Sequence, residues 1–261
     1  MDLKKCYQLT AAVILFTVSP AFANPTACPQ FFLDGEAPDF INQKLAPKTR
    51  ELCNREFAVK HSGITRTPIY AAEVLTREGV RQGQGLPRSN DFRPDNRLPA
   101  SERSELSDFA LSRGIDRGHV FPAADAATPA GKDESFLLSN MVPQDSNCNR
   151  GIWNDIEGTV RKEVKKRGKL YVVTGPIFAG GQLRALKGRV FVPSGLFKAV
   201  YDPARREGAA YVVNNEPGDT YKVVSLAELE RFTGINLFPT LAARAKNQAM
   251  QLPAPTGKRR R

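Results

Sequence analysis

The feature that most constrains this sequence is an apolar stripe with a four-residue period between residues 149 and 167. Branched apolar residues recur at that spacing and a glycine follows them: Ile152, Ile156, Val160, Val164 and Gly168. Such a period is typical of an amphipathic helix, and a glycine after its last residue commonly ends one. We therefore predict a helix from Asn149 to about Arg167 that packs on a larger apolar surface.

Strand-like runs surround this predicted helix. Two lie between Phe57 and Leu75 around a turn, and four more follow the helix, at 170–174, 189–193, 196–201 and 209–214. A capping box that starts at Ser225 predicts a helix ending before Gly234, and a last helix is predicted from Pro239 to about Met250. Strands, one helix, more strands and then helices predict a single mixed α+β domain.

The predicted domain covers residues 57–250 of the 261-residue chain. Residues 24–56 are rich in Pro, Asn and Gln with weak periodicity, so we predict an extended N-terminal arm. Residues 79–108 are rich in Gly, Pro, Arg and Asp and predict a long surface loop, and loops of that length are usually functional. Residues 251–261 are Pro-rich and then basic, which predicts a disordered tail.

The first 23 residues have the pattern of a secretory signal. Lys4 and Lys5 precede an apolar run from Leu9 to Val18, and the small-x-small sequence 21–23 follows. The run is about ten residues long, whereas a bilayer span needs roughly 20. We expect cleavage near Ala23 and a secreted or periplasmic protein; an uncleaved anchor is the alternative. No later stretch predicts a membrane span.

Export permits disulfides, and the cysteine positions suggest one. Cys28, Cys53 and Cys148 follow the signal, and we predict a Cys28–Cys53 bridge that ties the arm to the domain. Cys148 is then a buried small residue or a free thiol. A structural zinc site is improbable, because no CxxC or HxxxH spacing exists.

The charge favours polyanionic partners. Lys and Arg number 38 against 27 Asp and Glu, a formal charge of +11. A basic surface suits nucleic acid, anionic lipid or lipopolysaccharide, and charge alone does not choose among them.

The sequence Asp116-Arg117-Gly118-His119 contains one of only two histidines. Histidine is well suited to accept a proton at neutral pH, and the arginine fork suits phosphate. The alternative is a structural histidine in a turn.

A second cluster has members four residues apart: Asn149, Trp153, Glu157 and Arg161. Neighbouring members lie close on one helix face. Asn149 and Glu157 would be roughly 12 Å apart along an α-helix, too far to bind one small ion directly. A metal held there would reach Glu157 through bound waters, which Mg²⁺ characteristically keeps. The alternative is an Asn N-cap, a core Trp and a Glu–Arg pair.

Together these segments resemble a known family. "DRGHVFPAAD", "SNMVPQ" and "NRGIWNDIEGTVR" follow one another in the order of the DNA/RNA non-specific endonucleases, which are ββα-metal (His-Me finger) nucleases. The resemblance extends from about Phe57 to Pro239 and also includes "NDFRPDNRLP" and "YVVTGPIF". It implies a central antiparallel sheet with a ββα-metal motif, and it favours an active enzyme over an inactive nucleic-acid-binding or uptake protein.

The resemblance also implies roles for individual residues. His119 matches the general base, Asn149 the direct ligand of Mg²⁺ and Glu157 the carboxylate that orders the metal's waters. The remaining matches are the phosphate-contacting arginines and two supporting residues: Arg88, Arg117, Arg161, the supporting Asn140 near the base and Asp116 at the hairpin. Arg150 departs from the pattern, and its added charge either strengthens phosphate binding or faces solvent. The second histidine, His61, is expected to be structural.

The implied reaction is hydrolysis of DNA and RNA with Mg²⁺, or Mn²⁺ as a substitute. A neutral His119 would take a proton from water, and the metal and arginines would offset charge on the breaking bond. Products with 5′-phosphates are implied. Contacts to the backbone rather than the bases would explain action on both nucleic acids.

Overall fold

The computed structural model describes residues 25–256, so the predicted signal segment 1–23 and residues 257–261 of the predicted tail lie outside the described residues. Its strands are β1 Asp39–Phe40, β2 Thr49–Cys53, β3 Ala58–Ser62, β4 Thr67–Thr76, β5 Ile115–His119, β6 Met141–Asp145, β7 Lys169–Ile177, β8 Ala185–Leu186, β9 Val190–Phe191, β10 Gly195–Asp202, β11 Glu207–Asn214, β12 Tyr221–Val224 and β13 Ile235–Asn236. Its α-helices are α1 Arg77–Gln82, α2 Leu106–Phe109, α3 Pro129–Glu134, α4 Ser146–Cys148, α5 Asn154–Arg167, α6 Leu226–Thr233 and α7 Ala243–Asn247.

Seven of these strands form one antiparallel sheet in the order β12-β11-β10-β7-β4-β3-β2. The strands β5 and β6 form a separate antiparallel hairpin. This arrangement confirms the predicted α+β class and the central antiparallel sheet.

The large sheet buries side chains on both faces. Alternate residues of β7 and β10, such as Val172 and Leu196, pack under α5, and we call this side the α5 face. Their neighbours Val173 and Phe197 pack under α6 together with residues near the N-terminus, and we call this side the α6 face. Because successive side chains of a strand point to opposite faces, each strand serves both cores.

The helix predicted at 149–167 has a different N-terminal end in the structure. Its chain enters through α4, whose N-cap is Asp145, and residues Asn149–Trp153 then form a π-helical turn with non-helical dihedral angles at Gly151. Regular α-helix starts only at Asn154 and ends at Gly168, as predicted. The residues of the predicted apolar stripe, Ile152, Ile156, Val160 and Val164, are all buried.

Residues 25–56 form part of the folded domain, rather than the extended arm predicted for 24–56. Strand β2 pairs with β3 at the sheet edge, and Phe31, Phe32 and Leu33 are buried on the α6 face. The predicted Cys28–Cys53 disulfide is present. The predicted boundary at residue 57 therefore does not coincide with a break in the fold, because the aromatic residues before it fill the second core.

The chain after α6 also differs from prediction. The last helix covers only Ala243–Asn247, because the Met250 amide donates to the Gly208 carbonyl and draws the chain against β11. Residues 251–256 of the predicted tail are docked: Leu252 packs on the α5-face core, and Tyr211 Oη donates to the Pro253 carbonyl at 2.6 Å.

The predicted loop 79–108 contains the end of α1 and the start of α2. Its middle is held to the domain by Arg93, which contacts Asp133, and by Arg97, which contacts Asp95 and Asn54. Between residues 25 and 256, no helix combines the length and apolarity that a membrane crossing requires.

Candidate active site

His119, the candidate general base, is the last residue of β5 in the β5–β6 hairpin. The side chain of Gln144 crosses this hairpin and explains the glycine at position 118. Register places Asp116 opposite Gln144 and Gly118 opposite Val142. A Cβ atom at Gly118 would collide with Oε1 of Gln144, which is fully buried. The glycine of "DRGH" therefore leaves the space that the buried Gln144 side chain occupies across the hairpin.

The imidazole of His119 packs against two aromatic rings. It is only 8% exposed, and its ring meets Phe136 and Phe92 edge-on at centroid distances of 5.0 and 5.7 Å. Burial, followed by the positive charges of Arg88 and Arg117, lowers the pKa of His119 to about 3. The imidazole is therefore neutral at physiological pH, the protonation state that a general base needs.

Two arginines stack on the same aromatic rings. The Arg117 guanidinium lies 4.2 Å from the centroid of Phe92, and that of Arg88 lies 5.3 Å from the centroid of Phe136. Arg88 also donates to Asn90 at 2.6 Å. Neither arginine forms an ion pair with a carboxylate of residues 25–256, so both charges are available to an anion in the cleft.

Asp116 joins the hairpin to the π-helical turn. It accepts two hydrogen bonds from Arg150, at 2.8 and 2.6 Å, and one from Nδ2 of Asn149 at 2.9 Å. Partial burial raises the pKa of Asp116, but these hydrogen bonds outweigh it and hold the pKa below its usual range. The contact fixes the Asn149 carboxamide and leaves its oxygen as a possible cation ligand.

Glu157 lies one helical turn from Arg161 at the cleft floor. Arg161 donates to Asp125 at 2.6 Å, and its distance to the Glu157 carboxylate is 3.9 Å. Burial raises the pKa of Glu157 to about 7, although the charges of Arg161 and Lys198 oppose the shift. Because the Glu157 carboxylate is poorly solvated, a cation in the cleft would stabilise its charged form.

A buried polar row lies beneath these residues on the α5 face. Lys198 is fully buried on β10, and its Nζ donates to Oγ1 of Thr174 on β7 at 2.8 Å. Glu73 on β4 is 4% exposed. Burial and the neighbouring Asp125 raise the pKa of Glu73 well above its usual range, although the charge of Lys198 opposes the shift.

Asn140 supports the chain next to His119 from outside the cleft. Its carboxamide oxygen accepts from the Phe121 amide, and its Nδ2 donates to the carbonyls of Phe121 and Ser135. The side chain is completely buried and does not line the cleft. Asn140 therefore acts on the chain that follows His119, as a positioning residue rather than a catalytic one.

The predicted site residues otherwise meet in one cleft of about 510 Å³. Its walls include all the other residues predicted to act in catalysis, substrate binding or metal binding, together with the supporting Asp116: Arg88, Asp116, Arg117, His119, Asn149, Arg150, Glu157 and Arg161. Sequence reasoning missed Phe92 and Asn154, which line the cleft, and Phe136, Asp125 and Glu73 behind it. The "FRPD" and "PAAD" segments do include Phe92 and Asp125, which was the available signal for those two.

Two remaining residues agree with their structural interpretation. His61 is completely buried in β3, and its Nε2 lies 2.9 Å from the Glu102 carbonyl. Cys148 is a buried free thiol that contacts Gln144 and the Asn214 carbonyl. Neither residue reaches the cleft.

A hairpin followed by a helix, with a histidine on the first strand and an amide oxygen at the helix entrance, defines a ββα-metal nuclease. The DNA/RNA non-specific endonuclease family matches residues 37–244 of this chain. Nuclease C1 of Cunninghamella echinulata var. echinulata is 33% identical over 214 residues, which cover 74% of this chain and 84% of that protein.

Mitochondrial endonuclease G of Homo sapiens is 32% identical over 219 residues, which cover 76% of this chain and 73% of that protein. A solved EndoG/EndoGI complex contains a similar chain, with a TM-score of 0.71 and 25% identity over 86% of this chain and 96% of that one. The chain belongs to the DNA/RNA non-specific endonuclease family, and it is a hydrolase of that family.

Proposed function

We propose that this endonuclease cleaves DNA and RNA with Mg²⁺ held by Asn149, using His119 as the general base and leaving 5′-phosphate ends. The observation that carries this proposal is the meeting of a neutral, buried imidazole, an oriented amide oxygen and two stacked arginines in one cleft. The family is one of metal-dependent nucleases.

The donor set of the cleft fits a hard, strongly hydrated cation. Among residues 25–256, the only cluster of at least three potential His, Cys, Asp or Glu ligands is Cys28, Glu51 and Cys53, and its sulfurs form the disulfide. The cleft instead offers the Asn149 oxygen and the desolvated Glu157 carboxylate. A cation there must keep most of its waters, as Mg²⁺ does readily. When bound, it would supply Lewis-acid stabilisation of charge on the phosphate and the leaving oxygen.

The protein's own groups perform the rest of the reaction. Neutral His119 accepts a proton from the attacking water, and its aromatic surround keeps other waters away from the ring. Arg88 and Arg117 bind non-bridging phosphate oxygens while stacked on Phe136 and Phe92, which limits the rotamer freedom that binding has to remove. Glu157 orients water in the cleft.

Metal dependence is tested with supercoiled plasmid and with total RNA, each with Mg²⁺, Mn²⁺ or EDTA. We expect both substrates to be degraded with Mg²⁺ and neither with EDTA. Asn149→Ala should raise the Mg²⁺ concentration required for half-maximal rate. Asn147→Ala, an exposed asparagine on α4 outside the cleft, is the matched control. An Asn149→Ala titration that overlays the wild type would refute the ligand assignment.

The end chemistry has its own test. Products with 5′-phosphates should accept label from polynucleotide kinase only after phosphatase treatment. Direct labelling without phosphatase would show 5′-hydroxyl ends and contradict the proposed direction of bond cleavage.

We also propose that the enzyme is secreted or periplasmic. Residues 1–23 hold an apolar run and no arginine, whereas organellar transit peptides are Arg-rich. The Cys28–Cys53 disulfide supports an oxidising compartment. Mass spectrometry of the protein from fractionated cells should find a chain beginning at Asn24 outside the cytoplasm; an intact Met1 start inside it would contradict the proposal.

A further inference from the structure

Arg88 lies in a loop whose hydrogen bonds are almost all local, and we call residues 84–92 the Arg88 loop. Within residues 25–256, every hydrogen bond of this loop except one joins residues at most three positions apart in the chain. The exception comes from α3, where Nζ of Lys132 donates to the Leu86 carbonyl at 2.8 Å, although the two residues are 46 positions apart. Lys132 therefore provides the hydrogen bond that fixes this loop to the rest of the domain.

Lys132 is nearly buried and has no carboxylate partner. It is only 9% exposed, whereas lysines are almost never deeply buried unless they are paired. Within the described part of the chain it forms no ion pair, and the two acidic residues that follow it on α3 are paired with other arginines. The Leu86 carbonyl is the only acceptor that this ammonium group has there. Because a buried ammonium group without an acceptor is strongly destabilised, the bond to Leu86 resists breaking.

The segment 132–136 contacts the Arg88 loop at two points. Lys132 binds the Leu86 backbone, two residues before Arg88, and the ring of Phe136 lies 5.3 Å from the Arg88 guanidinium. The backbone and the head group of Arg88 are thus located by one short segment, α3 and the turn that follows it. A shift of the loop would carry the guanidinium away from the Phe136 ring and from the cleft that Arg88 lines.

The charges of Lys132 and Arg88 oppose this arrangement. Burial, followed by the positive charge of Arg88, lowers the pKa of Lys132. Two nearby like charges repel each other, so electrostatics alone would move the Arg88 loop away from α3. Removal of the Lys132 charge would relieve that repulsion, and a resulting loss of substrate affinity would therefore come from the lost hydrogen bond.

We propose that Lys132 is a positioning residue for substrate binding, because it holds the Arg88 loop where Arg88 faces the cleft. Lys132 itself does not line the cleft, so it acts through Arg88 rather than on the substrate. The inference rests on the phosphate-binding role proposed above for Arg88. It predicts that removal of the Lys132 hydrogen bond weakens substrate binding only while Arg88 is present.

The test is a double-mutant cycle on substrate affinity. Lys132→Met removes the donor from a side chain of similar length, Arg88→Ala removes the guanidinium, and the two changes are then combined. The Kd for one DNA duplex is measured in EDTA at a fixed low salt concentration. Lys246→Met is the matched control, because Lys246 on α7 is 8% exposed, donates to Glu230 of α6 and lies outside the cleft.

We expect Lys132→Met to raise the Kd by about 2- to 12-fold, the fold-change that corresponds to one net hydrogen bond. Arg88→Ala should raise the Kd at least as much, and the double variant should bind like Arg88→Ala alone. Lys132→Arg keeps a donor and should retain most of the wild-type affinity. The Lys246→Met control should bind like the wild type, which would show that loss of a buried lysine is not by itself the cause.

Wild-type affinity of Lys132→Met would overturn the proposal. So would an equal further rise in Kd in the Arg88→Ala background, the result expected if Lys132 contacted the substrate itself. Urea denaturation checks that each variant is folded, and Lys132→Gln, which is polar but shorter, replaces Lys132→Met in the cycle if the latter is unfolded. Wild-type affinity of Arg88→Ala would instead refute the phosphate-binding role of Arg88, so the two failures are distinguishable.

Discussion

The two faces of the seven-stranded sheet bury different chemistry with the same strands. On β10, Lys198 points to the α5 face and contacts Thr174, whereas its neighbours Phe197 and Ala199 pack on the α6 face. The strands bury Glu73 and Lys198 on the α5 face beneath the cleft, whereas the strand residues of the α6-face core are aromatic and aliphatic. A shift of one residue along a strand thus separates a polar support for the site from an apolar core.

This difference suggests that the α6 face mainly stabilises the fold, whereas the α5 face also supports the active site. Buried charges contribute little net stability and are costly when one partner is removed. An apolar core with a disulfide contributes stability without constraining the site. We expect substitutions on the α6 face to lower the free energy of unfolding alone, and substitutions on the α5 face to lower kcat as well. The predictions below test that separation.

The largest expected effect is on catalysis. His119→Ala should lower kcat by about 10²- to 10⁴-fold, because it removes the base from the transition state, with DNA binding in EDTA nearly unchanged. Single-turnover rates and Kd are measured on one duplex. The matched α6-face change, Leu229→Ala at a fully buried position, should cost about 2–5 kcal/mol of unfolding free energy with kcat retained. A wild-type rate for His119→Ala would refute the mechanism.

The next effect is on stability alone. Replacing both Cys28 and Cys53 with serine should lower the unfolding free energy by about 3–4 kcal/mol, the chain-entropy value for a bridge of this span. Urea denaturation measures the loss, and kcat below the transition should equal that of the wild type. A matched fall in kcat would show that the edge of the sheet at β2 is coupled to the cleft, which contradicts the separation of the faces.

A smaller change should affect both properties. Lys198→Met keeps the length of the side chain but removes its charge and the hydrogen bond to Thr174, so the unfolding free energy should fall by about 1–3 kcal/mol. The kcat should fall too, because the same charge acts on Glu157 and Glu73. Its control is Ala199→Gly on the other face, expected to cost about 0.5–1 kcal/mol at constant kcat. Loss of stability without loss of kcat would show that Lys198 does not contribute to catalysis through Glu157 and Glu73.

Local sequence patterns predicted those parts of the molecule that depend on local physics. The helix stop at Gly168 and the cap at Ser225 were predicted correctly, because each needs only neighbouring residues. The grouping of His119, Asn149 and Glu157 in one site was instead implied by the resemblance to the endonuclease family.

Features that depend on distant contacts were not predicted. The π-helical turn at Asn149–Trp153 differs from an α-helical turn by one residue. Gly151 is the only residue in the sequence of this turn that indicates an irregular backbone. An isolated lysine in a strand normally indicates an exposed position, yet Lys198 is buried because Thr174 and the neighbouring acids accommodate it. The aromatic surround of His119 joins residues from two separate loops, Phe92 and Phe136.

The smallest predicted effect is a pH dependence of stability due to His119. Its folded pKa of about 3 lies below the usual unfolded value near 6.5. As the pH falls below 6.5, the unfolded chain binds a proton that the folded protein does not, so stability is lost between about pH 6.5 and 3. The slope for this one group approaches about 1.4 kcal/mol per pH unit.

His119→Asn should therefore flatten the stability curve by roughly that slope between about pH 6 and 4, measured by urea denaturation in EDTA. Leu229→Ala is the α6-face control, and it should lower the curve by the same amount at every pH because it removes no titratable group. The raised pKa of Glu73 acts in the opposite direction in all three proteins and cancels in the comparison. Parallel stability curves for His119→Asn and the wild type would mean that the imidazole is hydrated enough to titrate normally. The conclusion that His119 is a desolvated base on the α5 face would then be wrong.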